Sequence, residues 1–115
     1  MDIDIKWGRK GGIVIAMPVG RVSDDSANLF EHMLENGIDP SDQALILDFE
    51  QVTFFSSAGM RVVLSIARKF NEPGKKYAMC ALQEGVRGVF KLSGLDKVIT
   101  VYDSQAAAVE AFENA

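Results

Sequence analysis

Residues 45–66 read LILDFEQVTFFSSAGMRVVLSI, and the order of the parts decides the fold. Residues 44–47 (ALIL) are an unbroken apolar run, the pattern of a short strand covered on both faces, and Asp48 follows at the exit. Residues 51–55 carry the chain onward. Ser56-Ser57-Ala58-Gly59 then opens a helical pattern whose inward stripe reads Met60, Val63, Leu64, Ala67 and Phe70. Pro73 and Gly74 end it. A doubly covered strand leading into an amphipathic helix is half of a parallel crossover, so an α/β fold is expected.

The flanks extend the pattern. Ile3, Ile5 and Trp7 alternate with Asp4 and Lys6, the period of a half-buried strand. GRKGG over residues 8–12 reads as a turn, and residues 13–17 return as a second, β-branched strand before Pro18 and Gly20. Ser23 or Asp24 caps a helix carrying Ala27, Phe30, Met33 and Leu34 inward, with Gly37 as its stop. Residues 77–82 read as a strand. Residues 83–93 read as a helix offering Val86, Val89, Phe90 and Leu92 for packing, with Gly94 as its stop. Residues 97–101 read as a short edge strand. A last helix, capped by Asp103 or Ser104, turns Ala106, Val109 and Phe112 inward. The sum is one α/β domain over residues 1–115. Its sheet is mixed and mostly parallel, with about four to five strands, an N-terminal antiparallel hairpin and about four flanking helices.

Composition bounds the function. With 48% hydrophobic and 24% charged residues, the chain has the makings of an ordinary core. A net charge of -4 and three scattered basic pairs (Arg9-Lys10, Arg68-Lys69, Lys75-Lys76) argue against a nucleic-acid binder. The single cysteine, Cys80, excludes a disulfide framework within the chain and reads as a buried, inert thiol. The opening MDIDI lacks a basic region followed by a long apolar run, and no segment reaches membrane-spanning length. A reducing, cytoplasmic setting without direct membrane insertion is the expectation.

Ser57 falls at or beside the N-cap of the Met60 helix, where unpaired backbone donors and the positive dipole end converge. A phosphate on that serine is favourably placed. Arg61 lies one turn on and shares a helix flank with Ser57 and Arg68. Gly59 permits close approach of another backbone, and Ala58 is small for the same reason. A nucleophilic serine needs a base and an orienting group. The only histidine, His32, sits in an amphipathic helix beside Glu31, so no catalytic residue is assigned. Asp24, Asp48 and Glu50 match no calcium-loop spacing, so no metal or cofactor is assigned either, and Asp48 is expected to order the turn before Phe54 or to line a partner surface. Phe54 and Phe55 read as packing residues, with an exposed Phe55 as the docking alternative.

Residues 45–66 resemble the signature of the STAS family, the sulfate-transporter and anti-sigma-factor-antagonist domain, and within it the bacterial anti-sigma factor antagonists. The MPVGRV segment resembles the family's second strand and its Gly-Arg turn, so the resemblance spans the chain. It implies that Ser57 is the serine phosphorylated by a partner anti-sigma serine kinase. Ser56 occupies a position that is often aspartate in the family and is a second candidate acceptor. Partner switching follows: unphosphorylated protein binds the kinase and frees its client, phosphate on Ser57 releases the kinase, and a PP2C-type serine phosphatase restores binding. The implied docking surface comprises Asp24, Asp25, Phe55, Ser56, Ser57, Ala58, Gly59 and Arg61, on a monomer that forms heterocomplexes. The alternative is a non-enzymatic STAS scaffold, or a subunit of a lipid-transport or larger signalling complex, without a phosphoswitch.

Overall fold

A computed structural model describes residues 3–114. Strands β1 (Ile3–Lys10) and β2 (Ile13–Val22) form the opening hairpin. Gly11 and Gly12 join them with φ of 55° and 87°, the left-handed pair that a two-residue hairpin turn requires. Helix α1 (Ala27–Gly37), β3 (Ala44–Asp48), β4 (Gln51–Phe55), α2 (Ser57–Lys69) and β5 (Lys76–Cys80) follow. Helix α3 (Glu84–Ser93), a 3-10 turn (Leu95–Lys97), β6 (Val101–Tyr102) and α4 (Gln105–Glu113) complete the chain.

The sheet runs β1-β2-β3-β5-β6, antiparallel at β1-β2 and parallel elsewhere. The ten-residue β2 serves two parallel neighbours in turn: residues 13–16 pair with β3 and residues 19–22 with β4. Two hydrophobic cores follow from the alternation of side chains across the strands. Val14, Ala16, Leu45, Leu47 and Met79 pack with α1, α2 and α3, while Ile13, Ile15, Ala44, Ile46 and Cys80 pack with Ala108 and Val109 of α4. The unbroken run at residues 44–47 is thereby explained, since both its faces are covered.

The α/β class stands, with corrections to its parts. Residues 51–55, expected only as a link, form a sixth strand. The expected strand over residues 97–101 shrinks to two residues, because Gly94 (φ 79°) ends α3 and the amides of Val98 and Ile99 turn back onto Leu95 O. Helix α1 is capped at Ser26 rather than at Ser23 or Asp24, and the Ser26 hydroxyl donates to Arg21 O instead of the helix. The buried face of α2 is Gly59, Val62, Val63 and Ile66, with Met60, Leu64 and Ala67 along its margin. Leu92 is 93% exposed rather than packed. In α4, Ala108 and Val109 are buried and Ala106 is exposed, while the expected Ser104 cap is present.

Gly37, the last residue of α1, is a glycine for a steric reason. A Cβ there would sit 2.0 Å from Trp7 Cζ2, so the indole lies directly on the glycine backbone. Gly37→Ala should therefore destabilise the domain by about 1–3 kcal/mol, against the usual gain in helix propensity. Urea unfolding followed by the fluorescence of Trp7, the only tryptophan, measures it.

Arg9 of β1 donates two hydrogen bonds to the buried Asp42 carboxylate, at 2.6 and 3.1 Å, and Asp39 N–H adds a third at 2.8 Å. The Arg9 hydrogen bond, chiefly, holds the Asp42 carboxyl below its usual range, against the opposing effect of burial. Its folded pKa is depressed, so its stabilisation is full above the unfolded value near about 4 and is lost as pH falls through the folded value. Asp42→Asn should cost about 1–3 kcal/mol at neutral pH and flatten this acid limb of the stability profile.

Candidate functional site

The site forms where two strand ends meet. Val22 closes β2 in register with Phe55, and the Ser56 N–H donates to Val22 O at 2.9 Å. This bond fastens the turn after β2 to the start of α2. Within that turn Ser26 Oγ accepts from Ser23 N–H at 2.9 Å, and Asp24 and Asp25 stand exposed. Asp24, Asp25, Ser56 and Ser57 therefore share one edge of the molecule.

The two serines have different surroundings. Ser56 is the N-cap of α2: its backbone is extended and its hydroxyl accepts from Gly59 N–H at 3.2 Å. Ser57 is the first helical residue and is exposed, and among the described residues its hydroxyl takes part in no hydrogen bond. Arg61, one turn later, is exposed and in no ion pair among the described residues. A group on Ser57 Oγ thus stands at the positive end of the helix dipole, beside the first-turn amides, with Arg61 one turn along the same helix. His32 is exposed on α1, and no hydrogen bond joins it to Ser57 among the described residues.

Three residues expected at the surface lie elsewhere. Phe55 is 4% exposed and inserted between Phe49 and Phe90, each 5.4 Å away between ring centres, so it is core rather than docking surface. Ala58 and Gly59 are buried as well. The close approach that Gly59 permits is internal: a Cβ there would lie 2.7 Å from Val22 Cγ1 and 2.9 Å from Phe55 Cε1. Of the two adjacent phenylalanines Phe54 is the exposed one, with the Arg21 guanidinium 4.4 Å above its ring. Sequence reasoning missed this pair, and only the pairing of β2 with β4 brings it together.

Asp48 is buried at the exit of β3, as expected for a residue ordering the turn. It accepts from Glu50 N–H at 3.0 Å and from Gln105 Nε2 at 2.7 Å, which ties α4 to the strand end. The Cys80 thiol is pushed up to about 12, by burial first and then by Asp48 and Glu50, which fits an inert thiol. Among the described residues no helix is long and apolar enough to cross a membrane.

Residues 5–108 match the STAS domain. The chain is 34% identical over 104 residues to BtrV of Bordetella bronchiseptica, which bears the name of an anti-sigma factor antagonist, with 90% of each chain covered. The crystal structure of an anti-sigma factor antagonist from Mycobacterium paratuberculosis superposes with a TM-score of 0.86 at 21% identity, covering 95% of this chain and 92% of that one. The Bacillus cell fate determinant SpoIIAA in its phosphorylated form gives a TM-score of 0.70 at 17% identity, covering 95% and 99%. The two structures share the fold. The match along nearly the whole chain and the Bordetella relative set this protein in the STAS domain family, among relatives named anti-sigma factor antagonists.

Proposed function

We propose that this chain is an anti-sigma factor antagonist switched by phosphorylation of Ser57. The unphosphorylated form binds a cognate anti-sigma serine kinase through the edge that carries Asp24, Asp25, Ser57 and Arg61, and the kinase lets go of its client. The kinase then transfers the γ-phosphoryl group of ATP to Ser57 Oγ; the hydroxyl proton leaves and ADP is released. The new dianion carries charge and bulk into the docking surface, and the complex separates. Hydrolysis of the phosphoserine by a PP2C-type phosphatase restores binding. The phosphoryl chemistry, with its ATP and Mg²⁺, belongs to the partners, in the cytoplasm, and this chain is the substrate rather than an enzyme.

The observation that carries this reading is the contrast between the two serines: Ser56 is engaged as the helix cap, and Ser57 is exposed with a free hydroxyl. The phosphorylated state named for SpoIIAA, which shares the fold, supports it. The test is incubation with each candidate anti-sigma serine kinase and ATP, with intact-mass and peptide mapping of wild type, Ser57→Ala and Ser56→Ala. A single phosphate lost only in Ser57→Ala, with binding abolished by ATP, is expected. No phosphorylation of the folded protein by any candidate would sink the switch and leave a constitutive STAS scaffold.

A further inference from the structure

We propose that the free edge of β1 is a self-pairing surface, on which a second copy of this chain docks antiparallel about a two-fold axis at Trp7. Among the described residues β1 pairs only with β2. Ile5 stands opposite Pro18, which has no N–H, so this is a non-hydrogen-bonded pair of the ladder. The Ile5 N–H accordingly bonds outside the ladder, to the neighbouring Asp4 carboxylate at 2.8 Å. By the two-residue period, the main-chain groups of Trp7 and Arg9 and the Ile5 carbonyl point away from β2 as an open template for another strand, and the Ile5 N–H joins it by exchanging the Asp4 carboxylate for a carbonyl of the second copy, which frees Asp4 for Lys10.

Charge selects the occupant and the register. An axis at Lys6 would set two lysines directly opposite each other, which is destabilising. An axis at Ile5 pairs Asp4 with Lys6 but uses only residues 3–7 of the described strand. An axis at Trp7 uses residues 4–10: Asp4 faces Lys10 of the second copy at both ends, Lys6 faces Gly8, and the two Trp7 rings meet. Aromatic and opposite-charge cross-strand pairs are the favourable ones. Neither Asp4 nor Lys10 has an ion-pair partner within the chain among the described residues. Trp7 is 37% exposed, so part of its indole is left for a partner to cover. Helix α1 flanks the edge: its Glu35 reaches Lys69 of α2, and its Leu29 and Met33 are half-buried against the core that Ile3 and Ile5 of β1 join. A strand edge with a charge pattern complementary to itself fits a second copy of the chain, in place of the monomer suggested by the sequence. The surface includes none of the residues of the switch, so it stands or falls independently.

Sedimentation of the full chain up to about 1 mM, with Trp7 emission as a local readout, tests the proposal, because so small an interface belongs at the weak end of specific ones. A reversible dimer with a concentration-dependent Trp7 spectrum is expected. Asp4→Lys turns two attractive pairs into two repulsive ones and should weaken dimerisation about tenfold, as should Lys10→Asp. The double exchange should restore it, which a folding defect would not. A chain that stays monomeric over the whole range overturns the proposal, as does a dimer indifferent to Asp4→Lys. Sensitivity to Lys6→Asp without sensitivity to Lys10→Asp overturns the axis at Trp7.

Discussion

Phe55→Ala should lower the unfolding free energy by about 3–5 kcal/mol, whereas Phe54→Ala, one residue earlier, should cost no more than about 1 kcal/mol. The Phe55 ring is 4% exposed, stacks on Phe90 of α3 and meets Phe49 edge-on, which in turn lies 6.4 Å from Phe30 of α1. It is the aromatic link between β4 and α3, and Gly59 presses against it from α2. Strand, helix and glycine backbone hold the walls apart, so truncation leaves a cavity that cannot readily collapse. Against a total stability of about 5–15 kcal/mol for a domain of this kind, the variant is expected to be marginal. Phe54 is 41% exposed and holds only the Arg21 guanidinium, a pairing worth about 0.5–1 kcal/mol at an exposed position. Urea titration of both variants measures the contrast. Equal losses would mean that Phe55 is not the element that seats α3 on the sheet.

The difference between two adjacent phenylalanines was not legible in the sequence, and the reason is local. In β4 the buried positions are Val52 and Phe55, three apart, where a regular strand buries every second residue. The pairing with β2 shifts between Gly20 and Arg21: Gly20 stands opposite Val52 and Arg21 opposite Phe54, so Thr53 is the extra residue of a bulge. A bulge inverts the alternation beyond it. From residues 51–55 alone, nothing reveals that the phase changes at Thr53, and the short segment reads as a link. The cost of this error is specific. It put the buried Phe55 among the docking residues and left the exposed Phe54, with Arg21 over its ring, unrecognised.

Other parts were legible where a strong pattern had one physical cause. The run ALIL announced a strand covered on both faces, and the packing of α4 beneath it supplies the second cover. Ser104 and Gly94 were readable as cap and stop because their roles are set by the backbone of a few neighbouring residues. Legibility fell where tertiary contact chose between equivalent solutions. Gly59 read as an opening for a partner backbone, yet Val22 and Phe55 already fill that space. Ser26 displaced Ser23 and Asp24 as the cap position because its hydroxyl knits the turn to Arg21 O. The helical period of α2 was recognised, but its inward face was drawn toward Met60 and Leu64 because the burial of Gly59 does not register as hydrophobicity.

Ser57→Asp should weaken binding to the cognate anti-sigma kinase by at least about 30-fold, while Ser56→Asp leaves it within about threefold, although each adds one negative charge to the same helix end. At position 57 the carboxylate stands exposed on the edge shared with Asp24 and Asp25, where a partner that accepts a neutral hydroxyl must desolvate it or repel it. At position 56 the acid replaces one good N-cap with another and is held on the Gly59 N–H, half-buried against Val22. Both substitutions place an anion at the positive end of α2, so both should stabilise the fold slightly, by about 0.3–1 kcal/mol, and a folding defect cannot account for lost binding. Unfolding curves and titration calorimetry on the same samples separate the two effects. If the two variants lose affinity equally, binding responds to the total charge at the helix end, and the assignment of the switch to the free hydroxyl of Ser57 fails. If only Ser57→Asp loses it, one hydroxyl carries the switch, and its neighbour serves to hold the helix that presents it.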